Sequence, residues 1–108
     1  MIARFWSAQT TPALSDAYLH HFEQTVQPQL QRLDGFLGVT VCTRPVRGAV
    51  EIVVTTYWKS FAAIDAFAGA DRESAVVAPE AAELLTDFDK RVRHYEVAHA
   101  DLPQITAG

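Results

Sequence analysis

Apolar residues recur along the chain with two periods, of about two and about four residues, and the alternation between them predicts the elements. Met1 to Ser7, MIARFWS, is short, β-branched and aromatic, and predicts a first strand. Thr11-Pro12 then reads as a helix N-cap followed by proline at the first helical position. Leu14, Tyr18, Phe22 and Val26 follow at four-residue intervals, with Ala17 and Thr25 filling in the same helical face. Pro28 must kink or restart that helix, because it lacks an amide donor and its ring clashes with the preceding turn. The pattern resumes through Leu30 and Leu33 and stops at Asp34-Gly35.

Phe36 to Arg44, FLGVTVCTR, predicts a second strand and Ala49 to Trp58 a third; Pro45-Val46-Arg47-Gly48 between them makes the pair a hairpin. Ser60 is placed to cap a short helix that would bury Phe61, Ile64, Phe67 and Ala68 and close at Gly69. Pro79 opens a further helical turn with Ala81, Leu84, Leu85 and Phe88 on one side. Lys90 to Ala98, KRVRHYEVA, reads as the last strand. The order β-α-β-β-α-β predicts an α+β, ferredoxin-like fold with a four-stranded antiparallel sheet. Residues 1–98 form the domain, and 99–108 a tail without periodicity, containing Pro103, expected on the surface or across a partner.

The alternation within the strands carries a second message. In the third strand Val50, Ile52, Val54, Thr56 and Trp58 share one face, yet Val53, Thr55 and Tyr57 on the other are scarcely more polar. Leu37, Val39 and Val41 stand against Phe36 and Cys42 in the second strand in the same way. A sheet wetted on one side should alternate more cleanly. With no spare chain to cover the second face, another copy of the protein is the expected cover, giving a homodimer through the sheet.

Composition narrows the partners. The 108 residues carry a net charge of −4, which argues against a nucleic-acid backbone or an anionic membrane surface. The clusters Arg44/Arg47 and Lys90/Arg91/Arg93 are expected as solvated strand edges. One cysteine, Cys42, forbids an internal disulfide and suits a reducing cytoplasm; within a strand, with no activating neighbour in view, it is expected as an inert packed thiol. No signal-like segment and no membrane-spanning apolar run is present in these residues.

Four stretches together resemble one family. They are the opening MIARFW, the Asp34-Gly35-Phe36-Leu37-Gly38 that leads into the second strand, the Tyr57-Trp58-Lys59-Ser60 junction running to Ala66-Phe67-Ala68, and the closing His94-Tyr95-Glu96-Val97. The chain from Met1 to Val97 resembles the antibiotic biosynthesis monooxygenase (ABM) domain. That resemblance implies a dimeric α+β barrel made by two sheets packed together. It also implies a range of activities: oxidation of aromatic polyketide or quinol-type substrates by dioxygen without flavin or metal, haem degradation, or no catalysis. Fold membership alone does not choose among them.

Individual residues sharpen the choice. Trp58 is either a core plug or a pocket wall whose indole N–H donates to a substrate oxygen, and Tyr57 and Trp6 carry the same ambiguity. Phe67, Tyr18 and Phe22 complete the aromatic set expected to hold a ring. Haem-degrading relatives have an asparagine, a tryptophan and an axial histidine where ungapped alignment on Trp58-Lys59-Ser60 places Ser7, Phe67 and Val77, so haem degradation is disfavoured. His20 and His21 lie about 100° apart on the helix and cannot chelate one ion together. A pair such as His20/Glu23 is more simply a solvated face than a metal site. His21, towards the apolar side, and His94, sharing a strand face with Val92 and Glu96, are the candidate general bases. The leading expectation is thus a cofactor-independent oxygenase of an aromatic or quinol-like substrate, with no metal. The alternative is a non-catalytic dimer that binds a small hydrophobic ligand.

Overall fold

A computed structural model of the chain describes residues 1–103. Five antiparallel strands form one sheet: β1 (Ile2–Thr10), β2 (Phe36–Val46), β3 (Ala49–Trp58), β4 (Asp87–Phe88) and β5 (Arg93–Glu96). The spatial order is β2-β3-β1, and β4 and β5 share the far edge of β1. This is the ferredoxin-like arrangement with its fourth strand broken in two. β4 pairs with Ala8 and Gln9, whereas β5 pairs with Ile2 to Phe5. Between them the chain leaves β1 because another partner takes it. Val92 donates to Glu73 O at 2.8 Å, Ala75 donates to Lys90 O at 2.9 Å, and Ser74 bridges Arg91. The run expected as one strand from Lys90 is therefore only four residues of β5, and Phe88, expected at the end of a helical turn, is a strand residue.

Helices cover one side of the sheet. α1 (Pro12–His21) begins where Thr11 Oγ1 accepts from the Leu14 amide at 3.2 Å with Pro12 in the first turn, as the sequence predicts. A π-helical turn, Phe22–Val26, joins it to α2 (Gln27–Gln31). Pro28 explains the widening, since an α-turn would press its ring on the carbonyl of Gln24. The amide of Gln27 instead reaches back to Phe22 O. In a regular α-helix a four-residue spacing drifts about 40° per step. The wider turn opposes that drift and keeps Tyr18, Phe22, Val26 and Leu30 on one wall.

α3 (Phe61–Ala68) starts at Ser60, whose hydroxyl accepts from the Ala63 amide at 3.2 Å, and α4 (Pro79–Ala82) follows a loop. The core lies between these helices and the sheet: Ile2, Ile52, Val54 and Trp58 from the strands meet Tyr18, Phe22, Leu30, Ile64 and Ala81. Burying such side chains stabilises the fold by about 1.5–3 kcal/mol each.

A bulge between Phe36 and Gly38 corrects one expectation about β2. The extra residue reverses the parity, so Phe36 joins Val39 and Val41 on the helix side while Leu37 takes no place in the core. The opposite face of the sheet carries Phe5, Val53, Tyr57, Cys42 and Tyr95. The Tyr95 ring meets Phe5 edge-on at 5.5 Å and is 54% exposed. Cys42 is exposed there, not packed as expected, whereas residues 97–102 border the Ala3, Phe5 and Tyr57 end of the same face. The end of the tail, residues 104–108, lies outside the described residues.

Candidate functional site

A cavity of about 80 Å³ lies between the helices and the sheet. Arg4, Trp6, Val54 and Thr56 form its floor from alternate positions of β1 and β3. Tyr18, Phe22, Val26 and Leu30 form the wall supplied by α1, the π-turn and α2. Phe67 from α3, Val76, Val77 and Ala78 from the following loop, Ala81 from α4, and Val92 close it. The break between β4 and β5 is what turns Val92 inward. The lining is mainly apolar, with polar atoms from Arg4, Tyr18 and Thr56.

The aromatic residues singled out from the sequence fall into three groups. Trp6, Tyr18, Phe22 and Phe67 line the cavity. Trp58 stands one layer behind it and is fully buried. It stacks on Phe67 at 5.2 Å and 30°, meets Phe36 edge-on at 5.4 Å, and donates its indole N–H to Thr56 Oγ1 at 2.8 Å. Both Phe67 and Thr56 are cavity walls, so Trp58 fixes the lining from behind. Tyr57, one residue earlier, projects to the other face of the sheet beside Phe5 and Tyr95. Trp6 is oriented by its own indole N–H, which donates to Asp89 O at 2.8 Å.

Neither candidate base lines the cavity. His21 Nε2 is buried without a hydrogen-bond partner among the described residues. His94 is one contact away: its Nε2 lies 2.9 Å from Arg4 Nη1, and its ring meets Phe61 edge-on at 5.7 Å. A guanidinium has no acceptor atom, so Arg4 donates and His94 Nε2 accepts, which requires the neutral imidazole with its proton on Nδ1.

Arg4 is the site residue that the strand pattern hid. It is 4% exposed and donates to the carbonyls of Arg72 and, at 2.8 Å, of Ser74. Its guanidinium also sits 5.5 Å from the centre of the Phe67 ring. The available signal was parity, because Arg4 alternates with Ile2, Trp6 and Ala8, all on the helix side. Nearby, Arg72 grips Asp65 of α3 with two bonds of 2.8 and 2.9 Å and covers the Phe61 ring at 4.4 Å. That hydrogen-bonded arginine holds the half-buried Asp65 carboxyl below its ordinary range.

Burial, and then the charges of Arg4 and Arg72, push His94 below the ordinary imidazole value of 6.5. The folded state thus binds this proton more weakly than the unfolded chain. The corresponding stability is whole above about pH 6.5 and is lost as pH falls through the lower folded value. Melting temperature is expected to drop on acidification below about pH 6.5. In His94→Gln, which keeps an acceptor for Arg4, the drop should flatten. Equal slopes in thermal melts of both proteins would contradict this.

Among the described residues no group of three His, Cys, Asp or Glu is placed to hold a metal ion, and no helix is long and apolar enough to cross a membrane. The residues expected of a haem-degrading member do not line the cavity. Val77 offers no iron ligand where the alignment puts the axial histidine, and Ser7 points to the opposite face of the sheet, with Trp6 occupying the inward position.

Comparison with known proteins agrees with the architecture. The family described as "Antibiotic biosynthesis monooxygenase" matches residues 1–79. A Bacillus cereus protein provisionally described as such a monooxygenase superposes with a TM-score of 0.63 at 17% identity, covering 94% of this chain and 96% of that one. The haem-degrader MhuD from Mycobacterium tuberculosis, solved with two haems in its active site, gives 0.60 at 24% identity, covering 94% and 99%. A Streptomyces coelicolor monooxygenase from the gene ActVA-Orf6, solved with nanaomycin D, gives 0.57 at 20%, covering 94% and 91%. At these identities the superpositions establish a shared fold. No curated protein matches the chain.

Proposed function

Since the chain belongs to the antibiotic biosynthesis monooxygenase family, we propose that it oxygenates a small aromatic, quinol-like substrate with dioxygen, the substrate itself supplying the electrons. The observation that carries this reading is the mainly apolar cavity, walled by Trp6, Tyr18, Phe22 and Phe67 and holding only a few polar groups. Rings of this kind orient a flat substrate and exclude water from the anion it forms. For a single-ring quinol the overall change balances as C6H4(OH)2 plus O2 giving hydroxybenzoquinone plus H2O. One oxygen atom enters the substrate, and the other leaves as water with two hydrogens. In this reading a histidine takes the first proton. His94 is better placed than His21 because it touches Arg4, a wall of the cavity. Its lone pair is engaged by Arg4 at rest, so proton transfer to it requires that contact to loosen.

The functional unit in this proposal is a homodimer joined through the face bearing Phe5, Val53, Tyr57 and Tyr95. Sedimentation at micromolar concentration should give the mass of two chains; a single-chain mass with that face wetted would contradict it. For catalysis, purified protein without added cofactor is expected to consume oxygen with a panel of single-ring quinols and phenols. No rate above buffer with any member would end the oxygenase reading and leave the ligand-binding alternative.

A further inference from the structure

Arg4 is a buried cation with no anion. Its acceptors are two neutral carbonyls and a neutral imidazole. Among the described residues the ion pairs join Arg44 with Glu51, Arg72 with Asp65, and Arg91 with Asp71 and Glu73, so none includes Arg4. Its imidazole partner His94 on β5 feels the charges of Arg72 and Glu73 on the loop and of Asp65 on α3, whose carboxylate is already held by Arg72. A charge kept out of water without a counter-ion is costly. This one lies in the wall of a cavity.

A second polar group opens into the same space. Tyr18 lines the cavity, and its hydroxyl has no hydrogen-bond partner among the described residues. Burial pushes its phenol up to about 12, so at neutral pH it is a donor and not a competing negative charge. Of the other lining side chains, the Trp6 indole donates to Asp89 O, and the Thr56 hydroxyl accepts from Trp58 and keeps its own proton to donate.

We infer that the cavity takes its ligand as an anion, with Arg4 as counter-ion and the Tyr18 hydroxyl as second donor, and that it selects acidic single-ring aromatics over neutral ones. The inference rests on the oxygenase reading only for the location of the site. Size supports the single ring: about 80 Å³ is roughly half of the apolar cavity of about 150 Å³ that admits benzene. One ring enters with small movements of the walls, and a fused-ring system is not enclosed. An arginine that merely fastened the loop through the Arg72 and Ser74 carbonyls would show no preference for charge.

The test uses 4-nitrophenol, whose phenolate absorbs visible light, beside the uncharged 4-nitroanisole. Bound 4-nitrophenol is expected to ionise at lower pH than the free compound, and 4-nitroanisole to bind at least about tenfold more weakly, a factor worth 1.4 kcal/mol. Arg4→Lys should retain part of the ionisation shift, and Arg4→Gln should abolish it with the fold checked by circular dichroism. Should Arg4→Gln fail to fold, the wild-type comparison of the two ligands still decides. Unshifted ionisation, or equal binding of the two ligands, overturns the inference, whether or not quinols are oxygenated. Anion-selective binding without oxygen uptake sustains it and removes only the oxygenase. Binding of neither ligand removes the cavity as a site and both readings with it.

Discussion

Replacing Trp58 by alanine is expected to cost about 3–5 kcal/mol, the range for truncating a buried aromatic in a core that cannot fully collapse. Domains of this size have a total stability of only about 5–15 kcal/mol, so the variant should be partly unfolded at moderate temperature. Each kcal/mol is worth roughly 4–8 °C in melting temperature for a domain near this length, which puts the expected fall at some tens of degrees. The size of the effect follows from three simultaneous losses. Phe67 loses the face it stacks on, Phe36 loses its edge contact, and the Thr56 hydroxyl loses its donor. Trp58→Phe separates these, since it keeps a ring against Phe67 but removes the N–H. It should cost about 1–2 kcal/mol. An alanine variant that melts within a few degrees of wild type would show that Trp58 is not the support of this core.

Gly35→Ala is expected to be nearly as damaging although it adds one methyl group. Gly35 has φ of 84°, where a side chain costs roughly 1–2 kcal/mol. A Cβ there would stand 2.5 Å from the Ala63 Cβ, so α3 must shift or the turn must open. Overpacking of that kind adds about 1–3 kcal/mol. The same turn accepts the Lys59 amide at 2.7 Å through Gly35 O, which ties the entry to β2 to the junction between β3 and α3. The two causes are separable by chemical denaturation. In an Ala63→Gly background the clash disappears and only the backbone cost of Gly35→Ala should remain. A neutral Gly35→Ala in either background would contradict this geometry.

Local chemistry was legible wherever one residue decides the outcome. Thr11-Pro12, Ser60 and Gly69 start or stop their helices where the pattern places them, and β3 runs from Ala49 to Trp58 as its alternation predicts. Errors arose where distant chain decides. A bulge is invisible in FLGVTVCTR, yet it moves Phe36 to the face of Val39 and Val41. The last strand breaks because Glu73 and Ala75 bond to residues near Val92, a pairing between segments far apart in sequence. Of the cavity-lining residues, Tyr18 and Phe22 follow from helical spacing, whereas Arg4 needed the register of β1 to show that a charge faces inward. The Tyr57-Trp58 pair divides across the sheet: one ring goes behind the cavity and the other to the face proposed for the second copy.

That division places the proposed chemistry in the cavity behind which Trp58 stands, and a change that fills this space without cutting the core tests the placement. Ala81 lines the cavity from α4 and is itself 6% exposed. Ala81→Leu puts three further carbon atoms towards it and is expected to leave the far-ultraviolet circular dichroism native. The decisive measurement is oxygen uptake with a quinol substrate by wild type and by Ala81→Leu, both shown to be folded. The account predicts uptake above buffer for wild type and its loss, by at least about tenfold, in the filled variant. Equal uptake by the two proteins would contradict it.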